Sequence, residues 1–138
     1  MHIDNPQNMT QTVLFILAHQ DDEFGIFREI ERNAKELGNE VYIYYLTSGV
    51  EPGENPQTRE RESSKVLKDL GVKEGNIHFL GSSLNISDSD LHNNFEKAYR
   101  LLKRQASHIS HPSRLYTLAW EGGHQDHDAT CLISVALA

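Results

Sequence analysis

Hydrophobic residues along the chain gather in short dense runs, and helical patterns lie between them. Val13 to Ala18 is an unbroken apolar run, and a run of that length bounded by polar residues predicts a buried strand. From Glu23 onward, Phe24, Phe27, Ile30, Ala34 and Leu37 recur at the spacing of one helical face, with Gly38 as a stop. Val41 to Leu46 (VYIYYL), rich in β-branched and aromatic side chains, predicts a second strand. A loop rich in glycine and proline follows, from Thr47 to Gln57. Asn55-Pro56 then predicts a cap and first turn for a helix reaching Leu70, with Val66, Leu67 and Leu70 inward and Gly71 ending it.

Ile77 to Leu80 predicts a short third strand, followed by the turn-rich GSSLNISDSD. Leu91, Phe95, Ala98 and Leu102 mark an amphipathic helix, with Ser87 or Asp88 as its expected cap. Leu115 to Trp120 predicts a fourth strand and Gln125 to Ala138 a final helix, while residues 1–11 read as a loose lead-in. Strands alternating with helices predict an α/β domain of three layers with a mostly parallel sheet. In such a sheet all strand C-termini share one edge, and ligands bind outside it where the strand order reverses.

That edge matters because two polar clusters sit directly after strands. The first is His19, Gln20, Asp21, Asp22 and Glu23; the second is Trp120 to Asp128, WEGGHQDHD. Helix capping accounts for a single acid in a first turn, but it needs no imidazole at the strand exit. His124 and His127 alone are weak evidence, since His-x-x-His arises readily by accident. Joined at one sheet edge, the clusters offer His and Asp from one strand end and His from another, with a further Asp and His unassigned. Three mixed nitrogen and oxygen ligands with an open position are the pattern of a hydrolytic zinc site. His2, His78, His92, His108 and His111 have no carboxylate cluster beside them and read as surface or loop residues.

Composition narrows the class. The chain has 138 residues, enough for one domain, with 38% hydrophobic and 24% charged residues. No apolar run approaches the ~20 residues that span a bilayer, and the N-terminus lacks the features of a secretion signal. Cys131 is the only cysteine, which excludes an intrachain disulfide and makes a cytoplasmic setting the expectation. Net charge is −7, from 20 acidic and 13 basic residues, and a phosphate backbone is repelled by such a surface. A nucleic-acid partner is therefore not expected. Nucleotide binding is weak too, because neither G-x-G-x-x-G after strand one nor a phosphate-binding G-x-x-x-x-G-K-[ST] is present.

The residues Ala18 to Glu23 (AHQDDE), together with His124 to His127 (HQDH), resemble the LmbE-like family of zinc N-deacetylases. That family includes deacetylases of N-acetylglucosaminyl-phosphatidylinositol and of N-acetylglucosaminyl-inositol. Its usual motifs are A-H-P-D-D-E and H-P-D-H, so Gln20 and Gln125 each stand where proline is usual. Arg59 and Glu62 (R-x-x-E) and the helix end at Leu70 to Val72 match as well. The resemblance implies a Rossmann-like fold and His19, Asp22 and His127 as ligands of zinc or a similar divalent metal. It also implies Asp21 as general base and His124 as an electrostatic or acid partner. Arg59 would hold a substrate phosphate or hydroxyl, with a surface pair to Glu62 as the alternative. Trp120 would stack on a sugar ring, with a core role as its alternative.

The implied reaction is removal of an acetyl group from an N-acetylglucosamine-type conjugate or related amide; the alternative is a metal- or ligand-binding homologue without catalysis. Family members generally continue beyond the H-x-x-H helix, so a truncated or minimal form is expected here. Leu132, Val135 and Leu137 would then leave an apolar patch, and self-association is expected through it.

Overall fold

The computed structural model describes residues 9–138; most of the expected lead-in, and His2, lie outside the described residues. Four strands form one parallel sheet: β1 (Thr12–Leu17), β2 (Glu40–Tyr45), β3 (Ile77–Phe79) and β4 (Arg114–Thr117), in the order β3-β2-β1-β4. Thr12 pairs with Glu40 and Leu17 with Tyr45, while Val13 pairs with Arg114 and Ile16 with Thr117. The strand order runs outward from β1 to β3 and then returns to the far side of β1. The switch point therefore lies between the ends of β1 and β4, the two strands that feed the polar clusters.

The helices are α1 (Phe27–Glu31), α2 (Gln57–Asp69), α3 (Leu80–Ser83), α4 (Phe95–Ala106) and α5 (Gln125–Leu137). Side chains of the central strands alternate between two cores, as the period of two requires. Leu14, Ile16, Tyr44 and Leu46 meet Ala98 and Leu102 of α4 and Ala129 and Ile133 of α5. Val13, Phe15, Leu17, Val41, Ile43 and Tyr45 face the opposite way, toward Ile30 of α1 and Leu67 of α2. Both faces of β1 are thus covered, which explains why its sequence is continuously apolar. The result is the expected three-layer α/β arrangement.

Several local expectations give way to tertiary context. The segment after β1 is not one helix: a 3-10 turn (Asp22–Gly25) precedes α1, and α1 continues into a π turn (Arg32–Glu36). These changes of pitch shift the helical phase. Ile30 is buried, whereas Phe24, Phe27 and Leu37 are exposed. The buried residue one turn on is Asn33, whose amide donates to the Glu29 carbonyl and accepts from Asn39. In α2 the inward face carries Ser63 and Leu67, and Val66 is exposed.

The expected cap of α4 is also corrected. A 3-10 turn (His92–Asn94) leads into α4, and neither Ser87 nor Asp88 caps it; Asp88 turns instead toward His19. Within the region read as turns, Leu80–Ser83 forms a short helix, and β4 ends at Thr117, three residues before Trp120. His78 lies in β3 rather than in a loop and stacks on Tyr44 at 4.9 Å. Leu132 and Val135 are exposed on α5, but Leu137 is half-buried against the core. Among the described residues no helix is long and apolar enough to cross a membrane.

Candidate metal centre

Both clusters meet at the switch point. His19, 7% exposed, leaves the end of β1 with its ring centroid 5.3 Å from that of His124 and 5.4 Å from that of His127. The His124 and His127 rings stack face to face at 3.8 Å. His124 is the N-cap of α5, and its Nδ1 accepts from the His127 backbone N–H at 3.5 Å. The helix start thus fixes how the two imidazoles face the end of β1.

Each of two histidines has one nitrogen held by a carboxylate. Nε2 of His19 lies 2.8 Å from Asp126 Oδ2 and 3.2 Å from Asp88 Oδ1. Nδ1 of His127 lies 2.8 Å from Glu121 Oε1. The remaining nitrogens face Asp22: His127 Nε2 is 3.2 Å from Oδ1, and His19 Nδ1 is 3.7 Å from Oδ2. Backbone N–H groups of Ala18 and His19 donate to Oδ2 at 3.0 and 2.8 Å, which fixes the Asp22 carboxylate. A histidine whose far nitrogen is held by a carboxylate is the usual outer arrangement of a metal ligand.

The donor set therefore fits a divalent metal of the zinc type: imidazole nitrogens with a carboxylate oxygen, backed by further carboxylates. Two groups of three donor atoms lie within 4.8 Å of one another: His19, His124 and His127, and His19, Asp88 and Asp126. The first substitutes His124 for Asp22, whereas the nitrogens left open by Asp126 and Glu121 favour Asp22. The hydrogen bonding decides which nitrogen of each ring is available.

Residues 14–138 match the family model for PIG-L, GlcNAc-PI de-N-acetylase. The chain belongs to this family. It is 30% identical over 76 residues to a probable N-acetylglucosaminyl-phosphatidylinositol de-N-acetylase of Dictyostelium discoideum, covering 55% of this chain and 29% of that protein. The N,N'-diacetylchitobiose deacetylase of Pyrococcus horikoshii has the same fold, with a TM-score of 0.69 at 22% identity. That match covers 99% of this chain and 52% of the solved one. The chain thus spans about half the length of its structural relative and less than a third of the curated one.

Within this PIG-L chain the charges are strongly coupled. Burial alone would lower the His19 pKa, but the Asp126 and Asp22 carboxylates raise it to about 10. Burial would raise Asp22, yet hydrogen bonds from the His19 side chain and backbone hold it below the ordinary value. Asp126 is likewise held low against its burial, by His19 and the backbone N–H groups of Leu91 and Ser89. Of these three carboxylates only Asp21 moves up: desolvation and the Asp22 charge outweigh the Arg59 guanidinium. Adjacent carboxylates displaced in opposite directions are suited to different tasks.

Of the other sequence candidates, Arg59 reaches the rim of the centre. Arg59 does not pair with Glu62 as the alternative had it; it donates to Asp21 Oδ2 at 3.0 Å, to the Gln20 carbonyl at 2.7 Å and to the Gly49 carbonyl. Trp120 is 59% exposed, which excludes the core alternative. The two glutamines in proline positions differ in kind. Gln20 is buried and donates to the Thr47 carbonyl at 3.3 Å, whereas Gln125 is exposed at the first position of α5, where proline is also tolerated.

Sequence reasoning missed Asp126 and Asp88. Asp126 is fully buried; besides His19 it accepts from Ser89 N at 2.7 Å and Leu91 N at 3.0 Å. It ties the first turn of α5 to the loop before α4. Its position inside H-Q-D-H was the available signal. Asp88 had none, because a serine- and aspartate-rich turn looks the same whether or not it borders a site.

Proposed function

We propose that this PIG-L chain is a metal-dependent hydrolase that removes an acetyl group from an N-acetylated sugar, of the N-acetylglucosamine conjugate type. The observation that carries the reading is the open pair of nitrogens, His19 Nδ1 and His127 Nε2, both facing Asp22 at the sheet's switch point. These three residues would hold zinc or a similar divalent ion. When bound, such an ion acidifies water and polarises a carbonyl.

The chain's own groups supply the rest. Asp21, whose pKa burial raises, would take the proton of the attacking water and pass it to the departing amine. His124, with Nδ1 engaged by the helix backbone, presents Nε2 as the donor to the developing oxyanion. The Arg59 guanidinium steadies Asp21, and its exposed third would meet a substrate hydroxyl or phosphate. Trp120, exposed just past β4, would stack on the sugar ring.

Acetate release from N-acetylglucosamine conjugates tests the reading. Turnover is expected to vanish with a chelator and to return when zinc is restored. Metal binding without acetate release from any N-acetyl sugar conjugate supports the binding-only alternative instead, and chelator-resistant release removes the metal from the reaction.

A further inference from the structure

Asp21 has an unusual backbone. Its φ is 141° and ψ −16°, outside the left-handed well where Asn85 (φ 54°), Ser89 (φ 64°) and His111 (φ 48°) sit. A residue with a Cβ is strained in such a conformation, and keeps it only where its surroundings over-determine it. Packing of the Asp21 side chain does not do this, since that side chain is 71% exposed. The hold comes from the backbone side. The Asp21 N–H donates to Glu23 Oε2 at 3.0 Å, and the Asp21 carbonyl accepts from Phe24 N at 2.9 Å.

Glu23 is unusual in its turn. It is 5% exposed, and all three of its hydrogen-bond donors are neutral. The Tyr45 hydroxyl, at the end of β2, reaches Oε2 at 2.8 Å; the Ser63 hydroxyl, in the middle of α2, reaches Oε1 at 2.7 Å. Tyr45 and Ser63 are themselves buried. Burying a carboxyl without a cation is costly, and here the group is pinned from two rigid elements while its third bond goes to the strained residue. This geometry fixes where the Asp21 and Asp22 side chains point relative to each other.

We propose that Glu23 is a positioning residue: anchored by Tyr45 and Ser63, it holds the Asp21 backbone at positive φ, so that the Asp21 carboxylate faces the reacting water and Asp22 the metal. The inference rests on the reading of Asp21 as the general base. Its essential feature is an acceptor oxygen for the Asp21 N–H, so charge is secondary to shape.

Three measurements on the full chain test it: the amide-to-Hα coupling constant of Asp21, metal content, and kcat and KM separately. Glu23→Met, nearly isosteric but without an acceptor, is expected to change the coupling and to lower kcat by ~10²-fold, the scale of a small misplacement, with metal content and KM preserved. Glu23→Gln, which keeps one acceptor oxygen, is expected to recover most of kcat and the native coupling. If Glu23→Met does not fold, Tyr45→Phe combined with Ser63→Ala releases the carboxyl instead and is expected to act like Glu23→Met. A native Asp21 coupling in the released variants overturns the proposal whatever the activity. So does unchanged kcat in them when Asp21→Asn is inactive. If Asp21→Asn stays active, the general-base reading fails, and the coupling constant alone decides whether Glu23 holds this turn.

Discussion

Asp21→Asn is expected to keep its metal and to lose turnover by ~10²–10⁴-fold, the usual contribution of a general base. Asp22 is fixed by two backbone N–H groups and lies 3.2 Å from His127 Nε2. Asp21, the next residue back, is turned out by its positive φ, and only Arg59 pairs with its carboxylate. An asparagine there still accepts from Arg59, so the rim should stay in place, but an amide takes no proton at neutral pH. Asp22→Ala differs in kind, because it removes a ligand and should lose metal and activity together. Steady-state kinetics beside elemental analysis separate the two outcomes. An Asp21→Asn protein stripped of metal, or one with near-normal acetate release, reverses the assignment.

Gly81→Ala is expected to be the most damaging single substitution for stability. A Cβ at residue 81 would lie 2.2 Å from both Cα and the carbonyl carbon of Thr47 and 2.4 Å from its nitrogen. Those are backbone atoms, so no side chain can swing aside to relieve the clash. Thr47 is buried directly after β2, with its N–H and hydroxyl both donating to the Ala18 carbonyl. Moving Thr47 therefore pulls on the end of β1 beside His19. The cost should be at least about 3 kcal/mol, the upper range of overpacking, seen as a large fall in the denaturation midpoint or a failure to fold. A variant with wild-type stability would mean that the α3 turn leaves room for a side chain beside Thr47.

The strands and the switch point were legible because they rest on one robust signal. A strand covered on both faces must be apolar throughout, and the run from Val13 to Ala18 shows this directly. That the two polar clusters meet followed from topology, since both come after strand ends at one edge; the choice of His127 rather than His124 as a ligand came from the family resemblance. Phase inside the first helix was not legible. A π turn depends on how Asn33 satisfies the Glu29 carbonyl and on where Asn39 then falls, and single-sequence periodicity assumes a constant pitch. The outer carboxylates were hidden for another reason. Asp88 and Asp126 act through contacts 69 and 107 positions from His19, between segments whose packing no local pattern encodes.

The central claim is that the ends of β1 and β4 build one metal centre, and elemental analysis of purified protein tests it most directly. About one zinc or similar divalent ion per chain is expected in the wild type, as an open three-ligand site requires. His19→Ala and His127→Ala, altered at opposite strand ends, should each lose it, with circular dichroism showing that both remain folded. Full metal content in both folded variants would contradict the account.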